Sequence, residues 1–321
     1  MTDAPPVTAI IITYNHENFI DEAIESMIRQ DYPNLEVIVV DDGSVDATRQ
    51  KALRYEKHKV KVHTKQNGGP SSALNLGCRL ARGDILMFQS GDDVSLTGRI
   101  RAQVEHLRRA EADIVWAAPK LIDDAGDSLR RSLLPFFFKE RDVSTPEAIF
   151  DELFYRDNFI CAPAIGLTRS AWLRIGSFHE GLFQLQDYDY WLRAAALRLK
   201  FSTDTEPCVA YRLHGSNLSH RANETRTRRE YNYVLRAIGR HLDAPFLNMI
   251  LYGLGFASTV ELPSRILLPH LYLRHSSPSI RQIGFDLLLD LINHETDREQ
   301  LQRHFSITPR IVSDMLLREP S

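Results

Sequence analysis

The 321-residue sequence contains few cysteines, and they form no recognisable pattern. Cys78, Cys161 and Cys208 are widely spaced and odd in number, so they predict neither a disulfide framework nor a zinc site. Unpaired cysteines of this kind are typical of a reducing compartment. Residues 1–6 lack the basic and apolar regions of a signal peptide. We therefore expect a cytoplasmic protein.

Long apolar runs and an excess of charge of one sign are also missing. A spanning helix needs roughly 18 apolar residues, and the nearest approach, residues 246–260, is interrupted by Asn248 and several glycines or small residues. The net charge is -3 and the pI is about 6.5, so no basic field indicates nucleic-acid binding. The composition, 43% hydrophobic and 25% charged, fits one large soluble domain or two.

Apolar runs alternate with segments of helical periodicity over the first 115 residues or so. The predicted strands are residues 7–12, 35–40, 60–63, 85–88 and 113–116. Segments with apolar residues three and four apart lie between them and predict helices. This alternation predicts an α/β fold with a Rossmann-like, mostly parallel sheet flanked by helices.

Polar clusters follow three of these strands. They are Thr13 with Asn15, Asp41 with Asp42, and Asp92 with Asp93. Because the carboxyl ends of parallel strands share one edge of a sheet, we expect the clusters to converge there. Asp92 and Asp93 could hold a hard cation through oxygen ligands, and the cation would in turn hold a diphosphate. The alternative is that both aspartates only end the strand and cap the helix near Thr97.

Together these motifs resemble the inverting family 2 glycosyltransferases, which have the GT-A fold. The resemblance rests on these segments, in the family's order over residues 7–220: Thr13-Tyr-Asn15, Asp41-Asp-Gly-Ser44, Asn67-Gly-Gly69, Ala73-Leu-Asn-Leu-Gly77, Gly91-Asp-Asp93, Gly176-Ser-Phe178, Gln186-Asp-Tyr-Asp189 and Tyr211-Arg-Leu-His214. No single motif is specific, but the ordered set is. The resemblance implies transfer of a hexose from a nucleotide-sugar to a glycan or lipid-linked saccharide, in polysaccharide biosynthesis.

The resemblance also implies a donor site. Its residues would be Thr13, Tyr14, Asn15, Asp41, Asp42, Asn67, Gly69, Ser90, Gly91, Asp92, Arg212 and His214. Asp41 would accept a hydrogen bond from the base, which suits the N3–H of uracil and favours a UDP-sugar or a thymidine donor. The alternative for Asp41 and Asp42 is a simple Asp-Gly turn, and for Arg212 it is a surface ion pair.

A divalent metal, Mg²⁺ or Mn²⁺, is implied as cofactor. Its ligands would come from Asp92, Asp93 and His214. Ser90 stands where the family has the first Asp of Asp-x-Asp, which weakens the case for ribose contact and for tight metal binding. One carboxylate can still suffice, because Mg²⁺ commonly uses only one or two together with substrate phosphates.

Asp187 is implied as the catalytic base that takes the proton of the acceptor hydroxyl. Gln186 precedes it, where the family often has Glu. Asp189 is the competing candidate, but Asp is common near helix starts for structural reasons. We therefore favour Asp187.

The chain is predicted to divide into a catalytic domain, residues 1–222, and a helical C-terminal region, residues 223–321. Arginines such as Arg228 and Arg229, next to the apolar residues 246–254, suggest peripheral contact with the inner face of a membrane. A solvated helix face is the alternative. The resemblance places acceptor loops near residues 130–160 and 179–187, the first with an aromatic cluster at 135–138.

A nucleotidyltransferase and an inactive scaffold protein are the alternative functions. A nucleotidyltransferase needs a glycine-rich phosphate loop with a basic residue after the first strand, and Thr13-Tyr-Asn-His16 has neither. A catalytically inactive binding or scaffold protein is supported by Ser90 and Gln186 alone. The retention of Asp92, Asp187 and His214 argues against it. The sequence does not predict an oligomeric state.

Overall fold

The computed structural model describes residues 4–130, 145–204, 206–218, 224–254 and 262–318. The aromatic cluster at 135–138, and with it much of the first predicted acceptor loop, lies outside the described residues. Within these ranges, no helix has the length and apolar character needed to cross a bilayer.

The main element is a seven-stranded sheet. The described residues form ten strands, seven in this sheet and three in a smaller one. They are β1 (Val7–Thr13), β2 (Leu35–Asp41), β3 (Lys61–Thr64), β4 (Ile85–Ser90), β5 (Val94–Ser95), β6 (Ile114–Ala117), β7 (Lys120–Ile122), β8 (Gly166–Thr168), β9 (Phe201–Asp204) and β10 (Val209–Arg212). The order in the large sheet is β3-β2-β1-β4-β8-β6-β9. All neighbours pair in parallel except those of β8, which is antiparallel to both β4 and β6. The predicted mostly parallel α/β fold is confirmed.

Thirteen helices flank the sheet or follow it in the described residues. They are α1 (Ile20–Ile28), α2 (Thr48–Leu53), α3 (Pro70–Leu80), α4 (Arg99–Ala110), α5 (Pro146–Tyr155), α6 (Arg169–Ile175), α7 (Gln186–Ala196), α8 (Glu224–Ile238), α9 (Ala244–Gly253), α10 (Ser264–Leu273), α11 (Pro278–Ile292), α12 (Glu295–Phe305) and α13 (Pro309–Arg318). The C-terminal helical appendage predicted from the sequence is therefore present.

The central strands are buried on both faces because their apolar residues alternate between two cores. Ile10 and Phe88 belong to the core that also contains α3, α5 and α7. Ile11 and Met87 point the other way, into the core formed with α1 and α4. Uninterrupted apolar runs such as these are what a sheet covered by helices on both sides requires.

The C-terminal helices share the first of these cores. Side chains from α8 to α13 belong to the same contiguous apolar cluster as the sheet residues. Tyr155 on α5 donates its hydroxyl hydrogen bond to the carbonyl of Leu271 on α10, at 2.9 Å. The domain boundary near residue 222 stays a prediction, since the packing across it is continuous.

The register of the strands brings the predicted polar clusters to one edge. Thr13 pairs with Asp41, and Ile12 pairs with Ser90, so the ends of β1, β2 and β4 are level. A second sheet of order β5-β10-β7 lies beyond β4. It places Arg212, the last residue of β10, beside the segment that follows β4, because Ala210 pairs with Val94.

Candidate active site

Two adjoining cavities open at this edge of the sheet. The first has a volume of about 490 Å³ and the second about 450 Å³. Both are lined by Ile12, Pro70, Ser90, Asp92 and Leu218. Asp92 therefore lies where the cavities meet, as expected for a group that would act between two bound molecules.

Most of the predicted donor residues line the first cavity. They are Thr13, Tyr14, Asn15, Asp42, Asn67, Gly69, Ser90 and Asp92. Asp41, Gly91, Arg212 and His214 do not line it. These side chains are brought together from four separate segments of the chain, which supports a binding role for the cavity and leaves each residue's role a prediction.

Asp41 and Asp42 differ in their surroundings although they are adjacent. Asp42 accepts hydrogen bonds from the backbone N–H of Gly68 and Gly69, at 3.1 and 2.8 Å, and pairs with Lys65 Nζ at 2.7 Å. It therefore holds the glycine loop that precedes α3. Asp41 is fully buried, and its Oδ2 has no hydrogen-bond partner among the described residues. Sequence reasoning gave the base contact to Asp41, yet Asp42 is the one on the cavity wall.

The end of β1 is held in shape by Asn15, whose φ of 55° lies in the left-handed region. Its Oδ1 accepts the N–H of Val45 at 2.9 Å, and its own N–H donates to Ser44 Oγ at 2.9 Å. Asn15 thus ties the loop after β1 to the loop after β2. Tyr14 beside it is 44% exposed and is free to contact a bound molecule.

Gly69 lies against Phe183, a residue that sequence analysis did not select for the site. The glycine has a φ of 86°, and a Cβ built there would lie 2.8 Å from Phe183 Cε1. Both residues line the first cavity. A side chain at position 69 would displace the aromatic wall of the cavity, and the positive φ also favours glycine there.

Asp92 is flanked by two histidines. Its Oδ2 lies 3.0 Å from His214 Nε2 and 3.6 Å from His16 Nε2. Burial raises the pKa of Asp92, but the two histidines and Ser90 outweigh it and lower the pKa to about 2. Asp92 Oδ1 has no hydrogen-bond partner in the described part of the chain. His16 was not predicted; its position just after the Thr13-Tyr-Asn15 strand end was the available signal.

Asp93 and Arg212 lie behind this carboxylate. The backbone N–H of Arg212 donates to Asp93 Oδ1 at 2.9 Å, and burial, followed by the charge of Asp92, raises the pKa of Asp93. The buried Arg212 guanidinium donates to the carbonyls of Asp92, Asp123 and Asp124 and pairs with Glu22. Arg212 is thus neither the predicted cavity contact nor a surface ion pair. Its guanidinium instead holds the backbone of Asp92 through the hydrogen bond to the Asp92 carbonyl.

The predicted metal ligands do not form a preassembled cluster. Among the described residues, no group of three or more His, Cys, Asp or Glu side chains could hold a metal ion. Asp93 Oδ1 instead accepts the backbone N–H of Arg212. The unpartnered, buried Asp92 Oδ1 nevertheless fits one hard ligand position. The chain therefore fits a metal that takes its remaining ligands from a bound diphosphate and water.

Asp187 lies in the wall of the second cavity, at the second residue of α7. Its Oδ2 accepts a hydrogen bond from Asn158 Nδ2 at 3.0 Å, and its Oδ1 accepts the N–H of Tyr188 at 2.8 Å. Burial raises the pKa of Asp187 to about 6, against the lowering effect of these two bonds. A carboxylate with this pKa is suited to accept a proton near neutral pH. Asn158 was not selected from the sequence.

Asp189 faces away from both cavities. It pairs with Arg193 on the same helix, with a distance of 2.8 Å from Oδ2 to Nη2, and both side chains are largely buried. Arg193 also donates to the carbonyls of Ile175 and Ser177. Asp189 therefore anchors α7 to the segment that follows α6.

Comparison with known proteins places the chain in a family. The pattern of the family described as Glycosyl transferase family 2 matches residues 8–171, slightly more than half of the sequence. The chain belongs to this family. An uncharacterized glycosyltransferase from Rickettsia typhi (strain ATCC VR-144 / Wilmington) is 32% identical over 224 residues, 69% of this chain and 68% of that protein. One from Rickettsia felis (strain ATCC VR-1525 / URRWXCal2) is 34% identical over 197 residues, 59% of this chain but 31% of that protein.

Solved structures of glycosyltransferases share the fold. S. aureus TarS, residues 1–349, in complex with UDP-GlcNAc superposes with a TM-score of 0.61 at 21% identity, covering 98% of this chain and 92% of that one. The mannosyltransferase PcManGT from Pyrobaculum calidifontis, in complex with GDP-Man and Mn²⁺, gives a TM-score of 0.52 at 17% identity, covering 98% and 86%. These likenesses establish a GT-A fold for this family 2 glycosyltransferase.

Proposed function

We propose that this chain transfers a hexose from a UDP-sugar, with inversion, to a hydroxyl of a glycan or lipid-linked saccharide. The observation that carries the proposal is the position of Asp92 at the junction of two cavities, with Asp187 in the wall of the second. The first cavity would hold the nucleotide-sugar and the second the acceptor. The reacting carbon would then lie between Asp92 and Asp187.

The choice of a uridine donor rests on two supports. Asp42, on the cavity wall at the end of β2, could accept an N–H of the base, as the N3–H of uracil offers. TarS binds UDP-GlcNAc, whereas PcManGT binds GDP-Man with Mn²⁺. Both donors therefore occur among structures with this fold, and the base must be tested directly.

Asp187 would act as the general base. At neutral pH most of its carboxylate is ionised, because its pKa is about 6. It would take the acceptor hydroxyl's proton while the oxygen forms a bond to C1 and the bond from C1 to the diphosphate oxygen breaks on the opposite side. Asn158 would keep the carboxylate oriented toward the second cavity, since it binds Asp187 Oδ2.

The leaving diphosphate carries the charge that the site must stabilise. Asp92 Oδ1 would hold Mg²⁺ or Mn²⁺ together with diphosphate oxygens, while His214 Nε2 contacts the other oxygen of the same carboxylate. Such a cation, when bound, supplies positive charge to the leaving group. The backbone of the glycine loop, fixed by Asp42, would shape the phosphate side of the first cavity.

The test is calorimetric titration with UDP, GDP and dTDP, with and without Mn²⁺. We expect Mn²⁺-dependent binding of UDP that Asp92→Ala abolishes. The matched control is Asp84→Ala. Asp84 is exposed and immediately precedes β4, whereas Asp92 follows the opposite end of that strand. Binding of GDP alone would overturn the uridine assignment. Absence of all nucleotide binding would favour the scaffold alternative.

Contact with an anionic membrane surface is a separate part of the proposal. It is supported by the exposed Arg228 and Arg229 on α8 and by Met249 and Tyr252 on α9, which are 50% and 74% exposed. Most other apolar residues of α9 are buried in the core. We expect co-sedimentation with vesicles containing anionic lipid and its loss in Arg228/Arg229→Ala. Sedimentation indifferent to lipid charge would remove this part of the proposal.

A further inference from the structure

We propose that Glu230, on α8, is a positioning residue that fixes the segment leading to Asp187, so that the C-terminal helical region is part of the transfer site. The inference rests on the proposed function for the role of Asp187. Its structural part stands on hydrogen bonds between α8 and the residues before α7.

The Glu230 carboxylate accepts three consecutive backbone N–H groups. Its Oε1 accepts from Phe183 at 3.1 Å, and its Oε2 accepts from Gln184 and Leu185 at 2.8 and 3.0 Å. Glu230 is 8% exposed, so these bonds are formed in a largely dry environment. One side chain thus provides acceptors for three backbone N–H groups of the segment that precedes α7. Glu230 acts like a helix cap, except that it comes from another helix.

The same segment is held on its other side by α3. Asn75 donates to the carbonyl of Phe178 at 2.9 Å and accepts its N–H at 2.8 Å, and Ser71 donates to the carbonyl of Leu182 at 3.2 Å. Residues 178–185 are therefore held by hydrogen bonds from two sides, from α3, which packs on the large sheet, and from α8 of the C-terminal region. Glu230 supplies the side-chain hydrogen bonds to the backbone N–H groups in the half of the segment nearer to Asp187.

Residues of this segment form walls of both cavities. Phe183 lines the first cavity, and Gln184, Leu185 and Asp187 line the second. Asp187 follows Leu185 by two residues, so a shift of the segment would move the carboxylate directly. Displacements of about 1 Å in such a group can lower a rate about 100-fold.

A carboxylate is the side chain that this arrangement requires. All three partners are N–H donors, and an ionised Glu offers only acceptors. Gln at this position would retain the shape but turn an NH₂ group toward one of the donors. Glu224, at the exposed start of the same helix, provides the matched control for loss of charge.

The experiment compares wild type, Glu230→Gln, Glu230→Ala and Glu224→Gln by hydrogen–deuterium exchange. We expect amides of residues 183–188 to exchange at least about tenfold faster in both Glu230 variants, with little change in α9 to α13 or in the Glu224 control. Unchanged exchange at 183–188, or an increase spread evenly over α8 to α13, would overturn the proposal, because Glu230 would then be a packing residue only.

The second readout separates positioning from binding. UDP release from UDP-glucose, UDP-galactose and UDP-GlcNAc is measured beside UDP affinity. We expect Glu230→Gln to lower kcat about tenfold or more and to weaken UDP binding by a smaller factor, since Phe183 of the same segment lines the first cavity. A kcat equal to wild type despite faster exchange would overturn the proposal. If the wild type neither bound UDP nor released it, the proposed function would fail, while the exchange data would still decide whether Glu230 holds the segment.

Discussion

Asn158 Nδ2 donates a hydrogen bond to Asp187 Oδ2 at 3.0 Å, and this contact opposes the effect of burial on the pKa of that carboxylate. The two residues come from segments 29 positions apart, one after α5 and one at the start of α7. The ionised form of Asp187 is the form that could accept a proton. Asn158 therefore favours the ionised form of Asp187.

The first prediction concerns Asn158→Ala. Wild-type kcat/KM should rise with pH through a midpoint of about 6, because Asp187 must lose its proton to act. Removal of the amide should raise this midpoint by about one unit, the equivalent of one hydrogen bond to a charged group. Activity should fall most below pH 7 and approach wild type above pH 8. A midpoint that did not move would show that Asn158 leaves the base unaffected.

The second prediction concerns the stability of Asp187→Asn. The pKa of Asp187 is raised from 3.8 to about 6 on folding, so the folded state loses stability as pH rises between these values. Below pH 3.8 the penalty is absent, and above pH 6 it is complete. Asn should therefore stabilise the protein at pH 8 by up to about 3 kcal/mol, and hardly at pH 4. Urea denaturation at the two pH values measures this, and equal effects at both would contradict it.

The sequence predicted the central strands well because their apolar runs are long and uninterrupted. The runs at 7–12 and 35–40 became β1 and β2 with one residue added to each. The sequence did not predict β9 or the insertion of β8 between β4 and β6. Both depend on pairing between residues distant in sequence, and short strands of three or four residues carry little periodic signal.

The site residues that the sequence predicted belong to recognisable motifs, and the site residues that it did not predict belong to none. Asp92 and Asp187 were selected from motifs and do line cavities. Asn158 and Glu230 were not predicted, because their roles depend on contacts with residues distant in sequence, which the sequence alone does not show. Arg212 was predicted to contact the donor, but its guanidinium is buried and does not line the first cavity. The local sequence does not show this burial.

The third prediction separates Asp189 from Asp187. Asp189→Ala leaves Arg193 as a buried charge without its partner, which should cost about 3–5 kcal/mol in unfolding free energy. Asp189→Asn keeps an acceptor and should cost less. At temperatures where the variants are folded, UDP affinity should equal wild type and transfer should persist. If Asp189→Asn lost transfer while Asp187→Asn kept it, the assignment of the base would be wrong.

The fourth prediction uses two glycines with matching backbone conformations. Gly69 and Gly176 have φ of 86° and 83° with extended ψ of 171° and -163°, so Ala at either position should cost a similar amount, about 1–3 kcal/mol, from backbone strain alone. Nothing lies within 4 Å of a Cβ at Gly176, whereas one at Gly69 meets the ring of Phe183. Gly69→Ala should therefore also weaken UDP binding, by about tenfold if the displaced ring costs about 1.4 kcal/mol.

Calorimetry of the two variants distinguishes strain from displacement of the cavity wall, since Gly176→Ala lies outside both cavities. Combining Gly69→Ala with Phe183→Ala should recover part of the lost affinity, because the added methyl group then meets open space. The recovery can only be partial, since the aromatic wall itself is removed. If both glycine variants bound UDP equally well, Phe183 would not be a wall of the nucleotide site, and the first cavity would need another ligand.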